Sequence, residues 1–529
     1  MNLDRCSGVL LHPTSLPGRY GVGTFGDEAY DWIDFLSRNQ QTIWQILPLG
    51  PTSYGDSPYQ SSSTFAGNPY MISLDKMVEQ GLLSQDLLNE ALGSPQFTAN
   101  PDNVDFGALY NWKIPLLAKA ALQFDDTVEN EQTNDYHKFC QDNKNWLDDY
   151  ALFMALKKKF SDKAWNEWPD EYRTRKSKYL REARVELKDD IKSVCFMQWI
   201  FDRQWNALRD YAHKQGIKIV GDLPIFVAMD SADAWTNPGL FYFDKNLVPE
   251  VVAGVPPDGF SHDGQLWGNP LYNWPKMKKN GYTWWIERLK AALQRQDYVR
   301  IDHFRGFAAY WSVPYGSKTA KVGKWVKGPG LDFFNAIEEA LGKDLPIIAE
   351  DLGVITPDVV ELRDTFGFPG MKILQFAFGS DSANNYLPHN LNNNCVAYTG
   401  THDNNTARGW YEQDAEEKDK DYLRRYFSTD GWDVAWTMIR GVFSSVAKIA
   451  VVPAQDLLSL GNEARMNCPG KARGNWSWRF RKEMFNPHIE WRLKDVTITY
   501  GREREKPEPV VDEKYQKAVE AATKASSKP

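Results

Sequence analysis

Carboxylates recur at the ends of short apolar segments in this sequence, and their neighbours suggest what they could do. In "DYVRIDHFRGF" (297–307) Arg300 and Asp302 stand two apart inside an apolar run. Residues two apart on a strand share a face, so the guanidinium would hold the carboxylate ionised and aimed, as a nucleophile requires. Ile301 and His303 take the other face, and His303 reads as a packing histidine. "LPIIAEDLG" (345–353) supplies Glu350 and Asp351, an acid partner for such a nucleophile. Adjacent residues point to opposite faces, so one of the two enters a common site, and the pattern does not choose between them. Other segment ends offer His12, Asp222, His402 with Asp403, and Gln455 with Asp456. One buried acid is easily a structural ion pair; several on one face are costly unless a ligand or a mechanism uses them. Acids at equal depth on neighbouring strands sit about 4.8 Å apart. That approaches the roughly 5–5.5 Å between the two carboxyls of retaining glycoside cleavage.

The elements that must position these groups are eight β-type segments, at 7–16, 42–50, 217–227, 297–306, 345–353, 370–378, 395–403 and 446–458. Most are near-continuous apolar runs, as in parallel strands covered on both faces. Amphipathic helical stretches lie between many of them: 26–39 with Tyr30, Ile33 and Leu36 on one side, 196–216 with Phe196, Trp199, Ile200 and Leu208, and 357–367 opened by Pro and closed by Gly. Strand–helix alternation on this scale predicts an α/β fold, a (β/α)8 barrel. Its reactive groups gather where strands end and loops begin. The spacing is uneven, so insertions are expected: a largely helical one at about 51–195 and a loop-rich one at about 228–282, within a catalytic unit of residues 1–500. Residues 501–529 form a charged, apolar-poor tail.

Composition removes several classes. A net charge of −8 in 529 residues argues against a nucleic-acid-binding groove. No run reaches the length of a membrane span and no signal-peptide pattern opens the chain. Five widely spaced cysteines without a C-x-x-C suit a reducing compartment, the cytoplasm or, after loss of a transit peptide, a plastid stroma. "GVGTFG" (21–26) matches G-x-G-x-x-G, but Pro13 and Pro17 separate it from the strand and no acid ends the next one. There is no phosphate-binding G-x-x-x-x-G-K-[ST] loop, no G-x-S-x-G elbow, and no H-x-H or H-E-x-x-H. A cation would be opposed by Arg300, so neither metal nor cofactor is expected. The 21 Trp, 24 Tyr and 27 Phe are many, and several lie in Gly/Pro/Asn-rich loops ("LWGNPLYNW", "DAWTNPGLFYF", "ARGNWSWRF"). Exposed aromatic faces there would stack on sugar rings.

The stretches "LHPTSLPGRYGVGTFG", "LPLGPTSYGDSPYQSSSTFAGNPY", "GDLPIFV", "GVPPDGFSHDGQLWGNPLYNW", "RIDHFRGF", "IIAEDLG", "GMKILQFAF", "YTGTHDNNT" and "PAQDLLSLGNEARMNCPGKARGNWSWR" together resemble the 4-α-glucanotransferases of the α-amylase clan, the amylomaltases or disproportionating enzymes (glycoside hydrolase family 77). The resemblance implies a barrel with inserted subdomains and no separate C-terminal β-domain. It implies that Asp302 is the nucleophile, Glu350 the general acid/base and Asp403 the transition-state stabiliser. It places Arg300 and His402 against nucleophile and sugar, Asp222 on the third strand, and Tyr59, Asp258, Phe260 and Trp267 along the substrate. The implied partners are α-1,4-glucans: maltooligosaccharides, starch or glycogen. A hydrolase of the same clan and a non-catalytic glucan-binding protein are the competing functions; the second is disfavoured because all three carboxylates are present.

Overall fold

The computed structural model describes residues 4–257 and 261–504. Its strands are β1 (Cys6–Leu10), β2 (Ile43–Gln45), β3 (Lys218–Pro224), β4 (Val251–Val255), β5 (Gln265–Pro270), β6 (Tyr298–Asp302), β7 (Ala309–Pro314), β8 (Lys324–Lys327), β9 (Ile347–Ala349), β10 (Gly370–Ile373), β11 (Cys395–Tyr398) and β12 (Ile449–Pro453). Eight of them close a parallel barrel in the order β1-β2-β3-β6-β9-β10-β11-β12, with β12 returning to β1. This is the (β/α)8 barrel expected from the alternation, and each barrel strand overlaps one of the eight apolar segments. The runs are continuous because both faces are covered. In β6, Tyr298, Val299 and Ile301 are buried apolar residues, while Arg300 carries its charge buried between them. β1 and β2 approach so closely that a side chain at Gly8 would collide with the Ile43 backbone.

The helix Asp27–Arg38 joins β1 to β2 and buries Trp32, Ile33, Phe35 and Leu36. Between β2 and β3 the chain is mainly helical, and it ends in the 27-residue helix Lys188–Lys214. That helix buries Phe196, Trp199, Ile200, Trp205 and Leu208 and runs unbroken across residue 195. Arg502 is fully buried beneath the barrel. It donates to the carbonyls of Phe443 (2.8 Å), Cys6 (2.9 Å) and Ala447 (3.0 Å), so the chain is fixed to the strand N-termini beyond residue 500.

Two expectations are corrected. Residues 228–282 are not simply loop: β4 and β5 join β7 and β8 in a four-stranded antiparallel sheet, order β5-β4-β7-β8. β5 is partly exposed, its register with β4 shifts between Val252 and Gly254, and Gly268 inside it has φ +79°, so no apolar run marks β5, whereas β4 (VVAGV) is an apolar run outside the eight segments. The tryptophan surplus is also mostly packing. Trp44, Trp165, Trp199, Trp205, Trp235, Trp285 and Trp436 are fully buried, and of the quoted loops Tyr272, Trp274, Trp476 and Trp478 are buried as well. Seating insertions on a barrel creates extra buried interfaces, and large rings fill them.

Candidate active site

Parallel register builds the first half of the site. β3 and β6 pair Asp222 with Arg300 and Pro224 with Asp302. Arg300 Nη1 lies 2.6 Å from Asp222 Oδ2, and Nη2 lies 2.9 Å from Asp302 Oδ1. The shared face expected of residues 300 and 302 is therefore present, and Asp222 anchors the guanidinium that aims Asp302. Tyr59 donates its hydroxyl to the same Asp222 oxygen at 2.8 Å. Asp302 is the last residue of β6 and is 27% exposed, toward the barrel mouth.

His303 departs from expectation. Strand alternation stops at Asp302, because His303 turns to φ +53°. Its ring stands edge-on to Trp267 with centroids 4.9 Å apart, and its backbone N–H donates to Glu350 Oε2 at 2.7 Å. His303 is thus part of the rim and helps hold Glu350.

β6 and β9 pair Ile301 with Ala349, so Asp302 and Glu350 are the next residues on two neighbouring strands. The ladder continues past them: Glu350 N–H donates to Ile301 O and Phe304 N–H to Glu350 O, each at 3.1 Å. Glu350 Oε1 accepts from Leu352 N–H at 2.8 Å. Asp351 goes elsewhere. It is buried, paired with Arg363, and accepts from Met371 N–H at 2.8 Å. Arg363→Ala should strand that buried carboxylate and cost about 3–5 kcal/mol of stability, the usual penalty for breaking a buried pair. Urea unfolding measures the loss, and specific activity per folded molecule should be retained.

The third group lies on the loop after β11. Asp403 Oδ1 accepts from Asn467 Nδ2 at 2.6 Å, and Arg465 donates to the Asp403 carbonyl at 2.8 Å. His402 Nε2 is 3.4 Å from Asp403 Oδ1. The Tyr59 ring stacks on His402 at 5.1 Å and 16°, and Trp476 lies 5.6 Å from Tyr59 and 5.9 Å from His402. Asn467 and Trp476 were not singled out from sequence. The Gly- and Pro-rich loop that carries them is recognisable, but its contact with Asp403 crosses more than sixty residues. His12 lines a pocket together with His402, Asn404 and Arg465. Trp267 joins the rim through His303, whereas Asp258 and Phe260 lie outside the described residues.

The electrostatics differ from the simple expectation for Asp302. Burial raises its pKa, Arg300 opposes that, and the carboxylates of Asp222, Glu350 and Asp403 raise it further. The guanidinium, shared with Asp222, does not outweigh them. Burial also raises Glu350, against Arg300 and its two backbone N–H donors. The two carboxyls therefore hold a proton above the ordinary carboxylate range. Burial lowers His402, which keeps its imidazole neutral at neutral pH.

The family model for 4-alpha-glucanotransferases (glycoside hydrolase family 77) matches residues 11–484. The chain belongs to this 4-alpha-glucanotransferase family. A family member from Clostridium butyricum is 49% identical over 494 residues, covering 93% of this chain and 100% of that protein. One from Streptococcus pneumoniae is 50% identical over 500 residues, covering 94% of this chain and 97% of that protein. An amylomaltase from Streptococcus agalactiae, solved in complex with acarbose, aligns with a TM-score of 0.90 at 42% identity, covering 94% of this chain and 100% of that one. Among the described residues of this family member, no helix is long and apolar enough to cross a membrane.

Proposed function

We propose that the chain moves α-1,4-glucan segments from a maltooligosaccharide, starch or glycogen donor to the 4-hydroxyl of glucose or another glucan, by retaining double displacement. The carrying observation is that Asp302 and Glu350 are the next residues beyond one strand pairing, each held by its own bonds. The mechanism requires the pair to hold one proton, on Glu350, with Asp302 charged, the form that the Arg300 contact at 2.9 Å stabilises.

Glu350 gives that proton to the glycosidic oxygen as the bond to the anomeric carbon breaks. A carboxylate oxygen of Asp302 attacks that carbon from the opposite face and forms a β-linked ester. The departing glucan leaves as an alcohol. With Asp302 esterified, one negative charge is gone and Glu350 stays ionised more easily. The acceptor's 4-hydroxyl then passes its proton to Glu350 while its oxygen displaces Asp302, which restores both groups. Asp403, His402 and Tyr59 hold the distorted sugar through its hydroxyls, and Asp403 stabilises the oxocarbenium-like charge. Trp267, at the rim beside His303, helps exclude water from the ester. The five free thiols suit a reducing cytoplasm.

Maltotriose as sole substrate tests this reading. Transfer yields glucose plus a ladder of longer chains. Conversion to glucose and maltose alone would identify a hydrolase, and binding without turnover a glucan-binding protein.

A further inference from the structure

Asp456 takes no chemical step above, yet its surroundings single it out. It follows β12 on the short helix Ala454–Leu457 and is 1% exposed. Among the described residues no cation pairs with it, and burial raises its carboxyl to about 6. A buried acid with so little compensation is costly, and packing alone gives no reason to keep one. Its two oxygens make two bonds. Oδ2 accepts from Thr399 Oγ at 2.6 Å, and Oδ1 accepts from the Ala407 backbone N–H at 2.7 Å. Thr399 follows the last residue of β11, and Ala407 opens the next helix. The loop between them carries His402 and Asp403. One carboxylate therefore ties the two ends of the loop together. Inside it, Asn404 Oδ1 accepts from Thr401 N–H at 2.9 Å, and Gln375 Nε2 donates to Asn405 O at 2.8 Å.

We infer that Asp456 is a positioning residue, clamping both ends of loop 399–407 and so setting the aim of Asp403 at the bound sugar. The inference rests on the glucanotransferase reading above. Small displacements of a group that acts in the transition state cost rate more than binding.

The test measures kcat and KM for maltotriose below the melting temperature, on variants with parent-like circular dichroism. Asp456→Ala should lower kcat roughly 10²-fold, the cost of misplacement by about 1 Å, with KM changed less than about threefold. Asp456→Asn should recover to within roughly tenfold of the parent, because the amide oxygen still accepts from Ala407 and its NH2 can donate to the Thr399 hydroxyl. Thr399→Val should cost part of the same kcat. In an Asp403→Ala background, assayed with an activated maltosyl fluoride, adding Asp456→Ala should cost at most about threefold more, since residues acting as one unit are non-additive. A parent-like kcat in folded Asp456→Ala would overturn the inference. So would the full penalty persisting without Asp403, which marks general loosening. If Asp456→Ala does not fold, Asp456→Asn and Thr399→Val decide: parent-like kcat in Thr399→Val together with an unrecovered Asp456→Asn contradicts the clamp. Asp302→Ala run alongside separates the cases, because turnover in that variant removes the underlying reading itself.

Discussion

Asp302→Ala is expected to lower kcat/KM for maltotriose disproportionation by about 10⁴-fold or more, the scale of removing a nucleophile from a concerted set of groups. The protein should still fold. The Asp302 carboxyl is 27% exposed, and Arg300 keeps its 2.6 Å partner Asp222, so no buried charge is left alone. Glucan binding should persist, because His402, Tyr59 and Asp403 remain. Glucose release measured by chromatography gives the rate, and calorimetry with a long maltooligosaccharide gives the binding. Turnover within tenfold of the parent would remove Asp302 from the chemistry.

Glu350→Gln is the second large effect. Loss of general acid–base catalysis should cost roughly 10²–10⁴-fold with maltotriose. With a maltosyl fluoride donor the first step should be far less affected, since fluoride needs little protonation to leave, and the ester should accumulate. The pH profile follows from the raised pKa values of both carboxyls. As pH rises through the pair's upper value the shared proton is lost, Glu350 cannot act as acid, and kcat/KM falls. As pH falls through the lower value Asp302 is protonated as well, the nucleophile is lost, and kcat/KM falls again. The profile is a bell whose alkaline limb lies above the ordinary carboxylate range, and its two values belong to the pair. In Glu350→Gln with the fluoride donor the alkaline limb should vanish, because no acid remains to be titrated. An unchanged alkaline limb would show that another group supplies the proton.

The barrel was legible because burial on both faces writes a near-continuous apolar run at most of its eight strands, and because the helix at 27–38 keeps one apolar stripe. The antiparallel sheet was not, since β5 is partly exposed and broken by Gly268, and the apolar run of β4 stands alone in a Gly- and Pro-rich stretch. Within the site, the Arg300–Asp302 contact was readable from strand periodicity alone. The choice between Glu350 and Asp351 was not readable from the residues, because Arg363 and the Met371 N–H settle it from other elements. The resemblance pointed to Glu350, and the geometry directs Asp351 into its own ion pair. His303 was misplaced for a local reason: periodicity was extended one residue past the point where φ turns positive. The rise in the Asp302 pKa was not readable, because its arginine is divided with Asp222 across the β3–β6 pairing, which spacing along one strand cannot reveal. The tryptophans misled because composition counts rings without saying which face the core.

The central claim is that Asp302 carries the glucan between donor and acceptor while Glu350 manages the proton. Mass spectrometry of Glu350→Gln, quenched at low pH after reaction with maltosyl fluoride and digested with pepsin, tests it directly. The account predicts a maltosyl mass increment on the peptide containing Asp302, slow to discharge to maltose as acceptor and discharged as maltosyl azide when azide, a nucleophile that needs no base, is supplied. An increment on Asp222 or Asp403, or no covalent adduct with product of inverted anomeric configuration, would contradict it.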